Sequence, residues 1–416
     1  MAARRVFVTG MGFVTPHGDR AERIFERLYA GESAITFRHY GKGGASLEVP
    51  VAAPEWTPDE DPGPLPRRVT DPVAHMAYVA AKRALLQAGL VDDPRVLGRA
   101  GVYVGCAFGG TRANEEGALA YHEMAAGGNV RIRPATVPRI MPSAPAAHIS
   151  MAFGIRGPSH TYSVACASSA MAIGEAYRSI RDGYLDCAVT GGAEAMLTGA
   201  TLAAWAALGV LAAIHPEGAA ASVRPFDQAR AGFAIGEGAV VLVLEAEEAA
   251  RARGAPLLGE IVGYGASSDA FNLTEPRVEG EACSMRAALD DAGLEPAAVG
   301  YVNAHATATP VGDLVEIRAL EEVFGPHAHR LAVSSTKSMH GHLIGAAGAL
   351  ELGITLLAVA QGRVPPTANL TDPDPECDLD CVPLHGREVP DLEYALSNSF
   401  AFGGSNVSLI VRRVPA

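Results

Sequence analysis

The chain has 416 residues, of which 49% are hydrophobic and 19% are charged, so it is long enough and apolar enough to bury a large core. Its formal net charge is −13 and it contains no run of Lys or Arg, which excludes general nucleic-acid binding because phosphate neutralisation needs concentrated positive charge. The 6 cysteines are few and scattered for this length, which excludes a disulfide framework and predicts reduced thiols.

Short β-branched runs alternate with longer alanine-rich stretches along the chain, which is typical of an α/β protein with a covered sheet. Residues 6–12 and 101–107 predict buried strands, and residues 73–89 between them predict a helix. Further strands are predicted at 187–195 and 239–245. Because the chain begins its first strand at once, without the features of a secretory signal, we expect a cytoplasmic protein.

Two stretches are predicted to lie apart from the chemistry and from any membrane. Residues 39–68 are rich in Pro, Gly and acidic side chains, so we interpret them as a surface excursion of little importance for function. Residues 195–214 contain no charged side chain, and their length alone would allow a membrane span. Because their apolar content is mostly Ala, broken by Gly and Thr and without a basic flank, we expect a buried helix and turn and no membrane partner.

The two halves of the sequence show a weak similarity to each other. Residues 162–180 and 331–357 each pass from a short strand through a turn of small residues into a helix. The charged, alanine-rich segment 246–254 separates the two halves. Periodicity alone leaves open whether the halves arose by duplication.

Cys166 is the first candidate for chemistry. It lies between a β-like run and a helix that begins Ala, Ser, Ser, so the thiol is predicted at a helix N-terminus. We expect the partial positive charge of the first turn to lower the thiol pKa and the free N–H groups there to stabilise an oxyanion. The alternative is a buried core cysteine. Cys377 and Cys381 suggest a metal site, but no matching His or Cys cluster lies nearby, so we expect no metal.

Two histidine segments complete the candidate site. His305 ends an apolar strand and is followed by Thr307 and Thr309, whose hydroxyls share one face and can hydrogen-bond an extended polar ligand. His342 lies at a glycine-rich helix start, where Lys337 or Glu351 could orient the imidazole. The alternative for a strand-end histidine is a purely structural hydrogen bond. The GxxxxGK[ST] pattern is absent, which argues against nucleotide binding.

Four motifs of the chain stand in the order and spacing of one known family. They are VACASS around Cys166, HATATPVGD from His305, KSMHGHLIGAAGALE from Lys337 and SNSFAFGGSN from Ser397. Together they resemble the β-ketoacyl-acyl carrier protein synthases of the elongating, type II kind, and the resemblance extends over nearly the whole chain. It implies a thiolase-like, five-layered α-β-α-β-α fold from two duplicated halves, with the nucleophile in residues 1–252 and both histidines in residues 253–416.

The resemblance implies a role for each matching residue. Cys166 is expected to be the acyl-accepting nucleophile, with an oxyanion hole formed by its own backbone N–H and that of Phe402. His305 and His342 are expected to hydrogen-bond the carbonyl of a malonyl thioester while carbon dioxide leaves, which requires near-neutral imidazoles. Lys337 and Glu351 are expected to support the histidine site. Thr307 and Thr309 are expected to bind the phosphopantetheine arm. Phe400 is expected to contact the substrate, and Phe402 is expected to act as the gate beside the cysteine.

The chain departs from the family pattern at a few positions. Ala306 and Ala308 replace glycines on either side of Thr307, and Ala401 replaces a glycine of the gating loop, so we expect a slightly tighter site and a stiffer gate. Phe108 falls where the family often has a smaller aliphatic side chain that lines the acyl pocket near the dimer boundary. Because a phenyl ring there would shorten the pocket, we expect a preference for short acyl primers; the alternative is that Phe108 points into the core.

The resemblance also implies partners. The substrates are expected on the phosphopantetheine of an acidic acyl carrier protein, with no further cofactor, and a basic surface patch is expected to meet that carrier. The chain is expected to form a homodimer, or a heterodimer with a chain-length-factor-like subunit. The candidates for the basic patch, whose alternative is ordinary surface arginine, are Arg67, Arg68, Arg131, Arg133, Arg139 and Arg224.

Two other functions share this fold. A non-catalytic chain-length-factor-like subunit would lack the cysteine, whereas this chain retains Cys166, both histidines and Lys337. A thiolase or plain acyltransferase would not require a malonyl donor. Degradative thiolases also carry a second, acid-base cysteine late in the chain, in a CxGG-like motif, and neither Cys377 nor Cys381 lies in such a motif. The Cys-His-His set therefore favours decarboxylative condensation, in fatty acid or type II polyketide biosynthesis.

Overall fold

The computed structural model describes residues 3–42, 45–57 and 66–414. Its strands are β1 (Val6–Val14), β2 (Thr36–Lys42), β3 (Ala45–Ala52), β4 (Gly101–Gly105), β5 (Ser159–Tyr162), β6 (Cys187–Glu194), β7 (Ile235–Gly236), β8 (Gly238–Ala246), β9 (Gly259–Ser268), β10 (Val299–Asn303), β11 (Ala332–Ser334), β12 (Arg363–Val364), β13 (Arg387–Glu388), β14 (Tyr394–Ala401) and β15 (Ser405–Arg412). Its α-helices are α1 (Ala21–Tyr29), α2 (Pro72–Ala88), α3 (Pro94–Leu97), α4 (Thr111–Ala125), α5 (Thr136–Ile140), α6 (Ala144–Phe153), α7 (Ser168–Arg181), α8 (Gly199–Leu208), α9 (Glu247–Ala252), α10 (Val278–Ala292), α11 (Gly312–Phe324), α12 (Lys337–His340) and α13 (Ala347–Gln361).

The predicted helix between the first strands is confirmed as α2, and its ends follow from local chemistry. The side chain of Asp71 accepts the backbone N–H of Val73, and Pro72 starts the helix, where no amide hydrogen is needed. Gly89 ends the helix in a left-handed conformation, with φ of 69°. The four predicted strands are likewise confirmed, as β1, β4, β6 and β8.

Ten strands form one sheet, in the order β5-β4-β6-β8-β1-β9-β15-β14-β10-β11. In the first half, β8 pairs antiparallel with both β1 and β6, and β4 and β5 continue parallel to β6. In the second half, β15 pairs antiparallel with both β9 and β14, and β10 and β11 continue parallel to β14. The same five-strand pattern is therefore repeated, which settles the duplication that the sequence leaves open.

Helices cover and separate the two halves of the sheet. α2, flanked by α6, packs on the outer face of the first half, and α10, flanked by α11, packs on the outer face of the second. α7 and α13 pack against each other and against strands of both halves, so they form a middle layer. The predicted five-layered α-β-α-β-α fold is thereby confirmed. The predicted boundary between domains 1–252 and 253–416 falls between α9 and β9. This domain boundary remains a prediction.

Small residues allow the layers to approach closely. Gly174 of α7 lies against the ring of Tyr264 in β9, and a Cβ atom at this glycine would lie only 2.3 Å from a ring carbon. Gly12 of β1 lies against α2, where a Cβ atom would lie 1.9 Å from the carbonyl oxygen of Ala80. The glycine- and alanine-rich composition is therefore explained by layer packing, since interiors tolerate no such overlap.

Where the structure describes residues 39–68, most of them are exposed or half-buried, as expected of a surface excursion, but the interpretation is wrong for residues 49–52, which are buried. β2 and β3 form an antiparallel hairpin, and β3 pairs in parallel with β7. Val49 and Val51 are buried in the same apolar cluster as Cys166, so this region does bear on the site. A short apolar run inside 45–52 forms the buried strand, although the surrounding Pro, Gly and acidic residues favour a loop. Residues 43–44 and 58–65 lie outside the described part of the chain.

The uncharged stretch 195–214 contains α8, which is only partly buried. Leu202 and Trp205 face the interior, whereas Leu208 is 48% exposed. The expectation of a buried helix is therefore wrong for one face of α8. Among the described residues, a single helical stretch, Ile344–Gln361, is long and apolar enough to cross a membrane, and 89% of it is buried in the fold. Its apolarity is that of a core helix, because it contains α13 of the middle layer.

Candidate active site

Cys166 lies at the start of the middle layer. Residues Ala165–Ala167 form a 3-10 turn that leads directly into α7, which confirms the predicted position at a helix start. Ala165 has φ of 47°, a left-handed conformation that side chains disfavour. This strained residue turns the chain between β5 and α7, and the thiol of Cys166 faces a cavity.

The acidity of the thiol differs from the expectation. Burial raises the pKa of Cys166 to about 12, although the charge of Lys337 and the backbone N–H groups of Phe402 and Cys166 act to lower it. The expected lowered pKa is therefore wrong, because Cys166 is only 6% exposed and the loss of hydration outweighs these effects. The two N–H groups that interact with the sulfur are the pair predicted for the oxyanion hole.

His305 and His342 lie beside this thiol. The Nε2 atom of His342 is 3.0 Å from Sγ of Cys166. The two imidazole rings meet edge to face, with centroids 5.4 Å apart. The sulfur and one nitrogen of each ring all lie within 4.8 Å of one another. The structure therefore brings the three predicted catalytic side chains together in one cavity.

Both imidazoles are neutral at neutral pH. Burial lowers the pKa of His305 and of His342 well below the usual range, and the charge of Lys337 lowers both further. Because the thiol keeps its proton and the imidazole does not gain one, the contact joins a neutral thiol to a neutral imidazole. It is not a thiolate–imidazolium pair.

Lys337 and Glu351 form a fully buried ion pair behind the histidines. Burial raises the pKa of Glu351 to about 7, and the ammonium of Lys337 opposes this rise. In the part of the chain that the structure describes, Nδ1 of each catalytic histidine has no hydrogen-bond partner. Lys337 therefore acts on His305 and His342 through its charge and does not orient the rings by contact.

Glu316 is a site residue that the sequence analysis misses. Its carboxyl accepts the backbone N–H of His305 at 2.9 Å, the backbone N–H of Ala306 at 2.7 Å and the amide of Asn398 at 3.0 Å. These three bonds fix the chain directly after β10. The signal in the sequence is an acidic side chain on the apolar face of α11, next to Ile317, where a carboxylate needs buried donors.

The loop after His305 accommodates alanine at a position that suits glycine. Ala308 has φ of 62°, a region in which an L side chain costs about 1–2 kcal/mol. Its carbonyl accepts the N–H of Gly232 at 2.7 Å. Arg230 donates to the carbonyls of Thr309 and Pro310 at 3.2 Å and 3.0 Å. The surrounding hydrogen bonds therefore hold this strained loop in one conformation.

The cavity in front of Cys166 has a volume of about 360 Å³. Its wall includes four of the five residues predicted for substrate contact and gating, Thr307, Thr309, Phe400 and Phe402, but not the fifth, Phe108. The hydroxyls of Thr307 and Thr309 lie 3.2 Å apart and can act together on one ligand group. The ring of Phe402 stacks on Trp205, with centroids 6.2 Å apart.

The loop that carries Phe402 is a tight turn between β14 and β15. Ala401 is a strand residue that pairs with Ser405, and its carbonyl accepts the N–H of Gly404 at 2.9 Å. The left-handed positions of the turn are Gly403 and Gly404, with φ of 85° and 73°. The replacement of glycine by Ala401 therefore places no strain on the backbone, and any stiffening of the turn comes from its methyl group.

Phe108 lies just beyond β4, beside the cavity wall. Its side chain is 46% exposed, and its ring centroid is 6.0 Å from that of Trp205, which lines the cavity. The alternative that Phe108 points into the core is therefore wrong. Its backbone N–H donates to the buried carboxyl of Glu194 at 3.3 Å, which fixes the position of this turn.

Two of the six arginines predicted for a basic patch are buried in ion pairs. Arg139 is 5% exposed and pairs with Glu116 at 3.1 Å, and Arg224 is 8% exposed and pairs with Asp227 at 3.3 Å. The prediction is wrong for these two, because their guanidinium groups are not available to a partner. The side chain of Arg67 lies outside the described residues, and the arginines that the structure leaves exposed are Arg68, Arg131 and Arg133.

Models of known protein families match both halves of the chain that carries this Cys-His-His site. The model of the β-ketoacyl synthase N-terminal domain matches residues 3–250, and that of the β-ketoacyl synthase C-terminal domain matches residues 258–371. The chain belongs to the β-ketoacyl synthase family. Members of this family are condensing enzymes of the acyltransferase class, so the protein is an enzyme of this class.

Two curated relatives are similar over almost their whole length. The 3-oxoacyl-[acyl-carrier-protein] synthase 2 of Staphylococcus aureus (strain COL) is 38% identical, with 99% of each chain covered. Nodulation protein E of Rhizobium sp. (strain N33) is 42% identical, with 99% of this chain and 100% of the relative covered. The similarity therefore includes both halves of the β-ketoacyl synthase.

Solved structures agree with this assignment. A β-ketoacyl synthase from Burkholderia phymatum STM815 has a TM-score of 0.90 at 36% identity, covering 99% of this chain and 100% of that one. The ishigamide ketosynthase/chain length factor has a TM-score of 0.90 at 33% identity, with both chains fully covered at 100%. A type II polyketide synthase ketosynthase in complex with its acyl-carrier protein has a TM-score of 0.88 at 28% identity, covering 99% of this chain and 100% of that one.

The protonated state of the Cys166 thiol determines how its reaction rate with iodoacetamide depends on pH. Because its pKa is raised to about 12, the thiolate fraction and the alkylation rate should rise about tenfold per pH unit from pH 7 to pH 10, without a plateau. Peptide mapping by mass spectrometry measures this rate, with the exposed Cys283 as an internal control for reagent access. A rate at Cys166 that is constant above pH 7 would contradict the neutral pair.

Proposed function

We propose that the protein is a β-ketoacyl-acyl carrier protein synthase that joins an enzyme-bound acyl chain to a malonyl unit by decarboxylative Claisen condensation. The observation that carries this proposal is the placement of the Cys166 thiol 3.0 Å from Nε2 of His342, with His305 facing the same cavity. A nucleophile beside two neutral imidazoles suits a reaction that passes first through a thioester and then through an enolate.

In the first half-reaction, Cys166 attacks the thioester carbonyl of a carrier-bound acyl chain. The neutral Nε2 of His342 accepts the thiol proton as the new C–S bond forms, so the raised thiol pKa is overcome only when substrate is present. The backbone N–H groups of Cys166 and Phe402 stabilise the negative charge on the carbonyl oxygen. The carrier thiolate leaves and takes up the proton, which leaves an acyl-Cys166 thioester and a neutral histidine.

In the second half-reaction, a malonyl thioester occupies the same cavity. Breaking its bond to the carboxylate releases carbon dioxide and moves the electron pair onto the thioester carbonyl as an enolate. The N–H group of neutral His305 donates to this oxygen, and His342 donates as well once its proton has moved from Nδ1 to Nε2; these hydrogen bonds lower the barrier. The enolate carbon then attacks the acyl-Cys166 carbonyl, and the thiolate of Cys166 leaves and regains a proton.

The substrates need no cofactor other than the phosphopantetheine arm of their carrier protein. The paired hydroxyls of Thr307 and Thr309 in the cavity wall suit the amide groups of such an arm. Arg68, Arg131 and Arg133 are exposed and remain the candidates for contact with an acidic carrier. Cytoplasmic location accords with the burial of the one membrane-length apolar stretch among the described residues.

The alternative function is a non-catalytic chain-length-factor-like subunit. The reactive thiol, both neutral imidazoles and the oxyanion N–H groups are all in place around one cavity, which favours catalysis. A plain acyltransferase would need no second substrate that loses carbon dioxide, whereas the two neutral imidazoles suit an enolate. Condensation is therefore the function that we propose.

Intact-mass analysis tests both half-reactions. The protein should gain the mass of one acyl group from an acyl-carrier thioester and lose it again when malonyl carrier is added, with release of carbon dioxide and a β-ketoacyl carrier. Cys166→Ala should gain no mass. His305→Ala should still be acylated but should condense about 10²–10³-fold more slowly, as expected for loss of one transition-state donor. Discharge of the acyl enzyme by acetyl carrier, without carbon dioxide, would contradict the proposal.

The protein is further proposed to pair with a second copy of itself through the edge of the sheet at β5. This strand ends the sheet and is partly exposed, so its backbone is free to meet another chain. Exposed apolar side chains lie on the neighbouring helices α4 to α6 and their connections, namely Leu119, Tyr121, Met124, Val137, Met141 and Met151. The solved ishigamide complex pairs a ketosynthase with a chain length factor, so such a subunit is the alternative occupant.

Light scattering during size-exclusion chromatography tests this pairing. The protein should have twice the mass of one chain, and Met151→Glu, on α6, should reduce it to a monomer because a charge would be buried at the interface. Leu86→Glu, at an exposed position of the outer helix α2, should leave the dimer intact. A wild-type monomer would reject the homodimer and favour a different partner subunit.

Phe108 is proposed to limit the length of the acyl chain through its contact with Trp205. Phe108→Ala should raise the acylation rate of Cys166 by long acyl-carrier thioesters by roughly tenfold relative to short ones, because each added methylene needs space in the pocket. The matched variant Phe37→Ala, at an exposed ring of β2, should not change this ratio. An unchanged ratio in Phe108→Ala would reject the role.

A further inference from the structure

The wall of the active-site cavity has an apolar side and a polar side. Trp205, Leu208 and Phe233 lie on the apolar side, while the polar side includes Thr307 and Thr309. A third polar member, Glu281, comes from α10 of the outer layer. It has no part in the half-reactions described above, although it lines the same cavity.

Glu281 has a buried carboxyl oxygen without a hydrogen-bond partner in the described parts of the chain. The residue is 2% exposed, and its Oε2 atom has no hydrogen-bond partner within the described parts of the chain. A buried carboxyl in that state costs about 1–3 kcal/mol. Such a cost is offset when a ligand supplies the missing hydrogen bond, so the unpaired oxygen points to a binding role.

The neighbouring acidic groups are already engaged. Glu316 accepts the backbone N–H groups of His305 and Ala306, at 2.9 Å and 2.7 Å. Asp269 accepts the amide of Asn406 at 2.7 Å. Burial raises the pKa of Glu281 well above its usual range, and the charges of Glu316, Asp269 and Asp313 raise it further. Burial and these neighbouring negative charges all favour the protonated form of Glu281, and a protonated carboxyl has one O–H group to donate.

The position of Glu281 indicates which part of a substrate it meets. The loop before α10 carries Leu273, Thr274 and Glu275, which line the cavity and are exposed, so this loop forms the solvent side of the cavity. Glu281 lies behind that loop and near Glu316, which fixes the backbone at His305. Glu281 and Cys166 line the same cavity, so an arm that extends from solvent to Cys166 can contact Glu281 with one of the amide groups that precede its reacting thioester.

We propose that the carboxyl of Glu281 donates a hydrogen bond to an amide carbonyl of the pantetheine arm and thereby sets the affinity for arm-bearing thioesters. This inference rests on the proposed condensation, because it assigns a binding contact to the same cavity. The donor and acceptor are matched in number, since the acid supplies one O–H group and an amide carbonyl accepts it. Glu281 is a specificity residue in this account and takes no part in bond formation.

Truncated donors test the contact. After Cys166 has been acylated, Glu281→Ala should raise KM for malonyl-coenzyme A about tenfold and leave kcat within twofold. The same variant should leave turnover of malonyl ethyl thioester, which has no amide, within twofold of wild type. Glu281→Gln should keep KM close to wild type because its amide N–H can donate in place of the acid. Glu279→Ala, an exposed glutamate two residues earlier in α10, is the matched control.

A binding measurement separates this inference from the proposed function. In a Cys166→Ala background, calorimetry with acetyl-coenzyme A needs no condensation, and Glu281→Ala should weaken binding about tenfold while Glu281→Gln should not. Equal losses with malonyl-coenzyme A and malonyl ethyl thioester, or no change with either, would overturn the contact. So would a Glu281→Gln variant that binds as weakly as Glu281→Ala. If the wild type condenses no malonyl donor, the proposed function fails, and the binding result still decides the role of Glu281.

Discussion

The hydrogen bond between Cys166 and His342 depends on two helix starts that meet at the centre of the molecule. Each start is a 3-10 turn that begins with a left-handed residue, Ala165 with φ of 47° and Ile344 with φ of 45°. The two helix starts can approach because small residues line them: a Cβ atom on Gly348, at the start of α13, would lie 2.8 Å from Cβ of Ala170, at the start of α7. The duplicated fold therefore brings the nucleophile of one half beside the histidine segment of the other.

Burial and one buried charge set the protonation of this site. Burial lowers the pKa of His305 and of His342 most, and the charge of Lys337 lowers both further, so the imidazoles stay neutral; at Cys166 burial raises the pKa, and Lys337 reduces that rise. An isolated buried ammonium would be expensive, and the carboxylate of Glu351 offsets that cost. The two charges of the pair do not cancel at the reacting groups, because the effect of Lys337 on the pKa of Cys166 is larger than the opposite effect of Glu351. The pair is therefore better explained by catalysis than by stability.

Much of the fold and site could be predicted from the sequence because periodicity and motif spacing report local structure directly. Cys166, His305 and His342 each stand at the end of a recognisable strand or at a helix start, and the duplication brings those ends together. Burial could not be predicted, since it depends on distant segments. Arg139 is an ordinary arginine in the sequence, yet its ion pair with Glu116 forms only when α4 and α5 pack. For the same reason no feature of the sequence indicates that burial raises the pKa of Cys166 above its ordinary value.

The division of the cavity wall separates two properties of the enzyme. Phe108 contacts the apolar side through Trp205, whereas Glu281 belongs to the polar side. Phe402 lies between the reacting sulfur and the apolar side, because its backbone N–H interacts with Cys166 while its ring stacks on Trp205. The side chains that we propose for chain-length preference and for affinity for the carrier arm are therefore different. These proposals imply that the two properties can vary independently around one Cys-His-His centre.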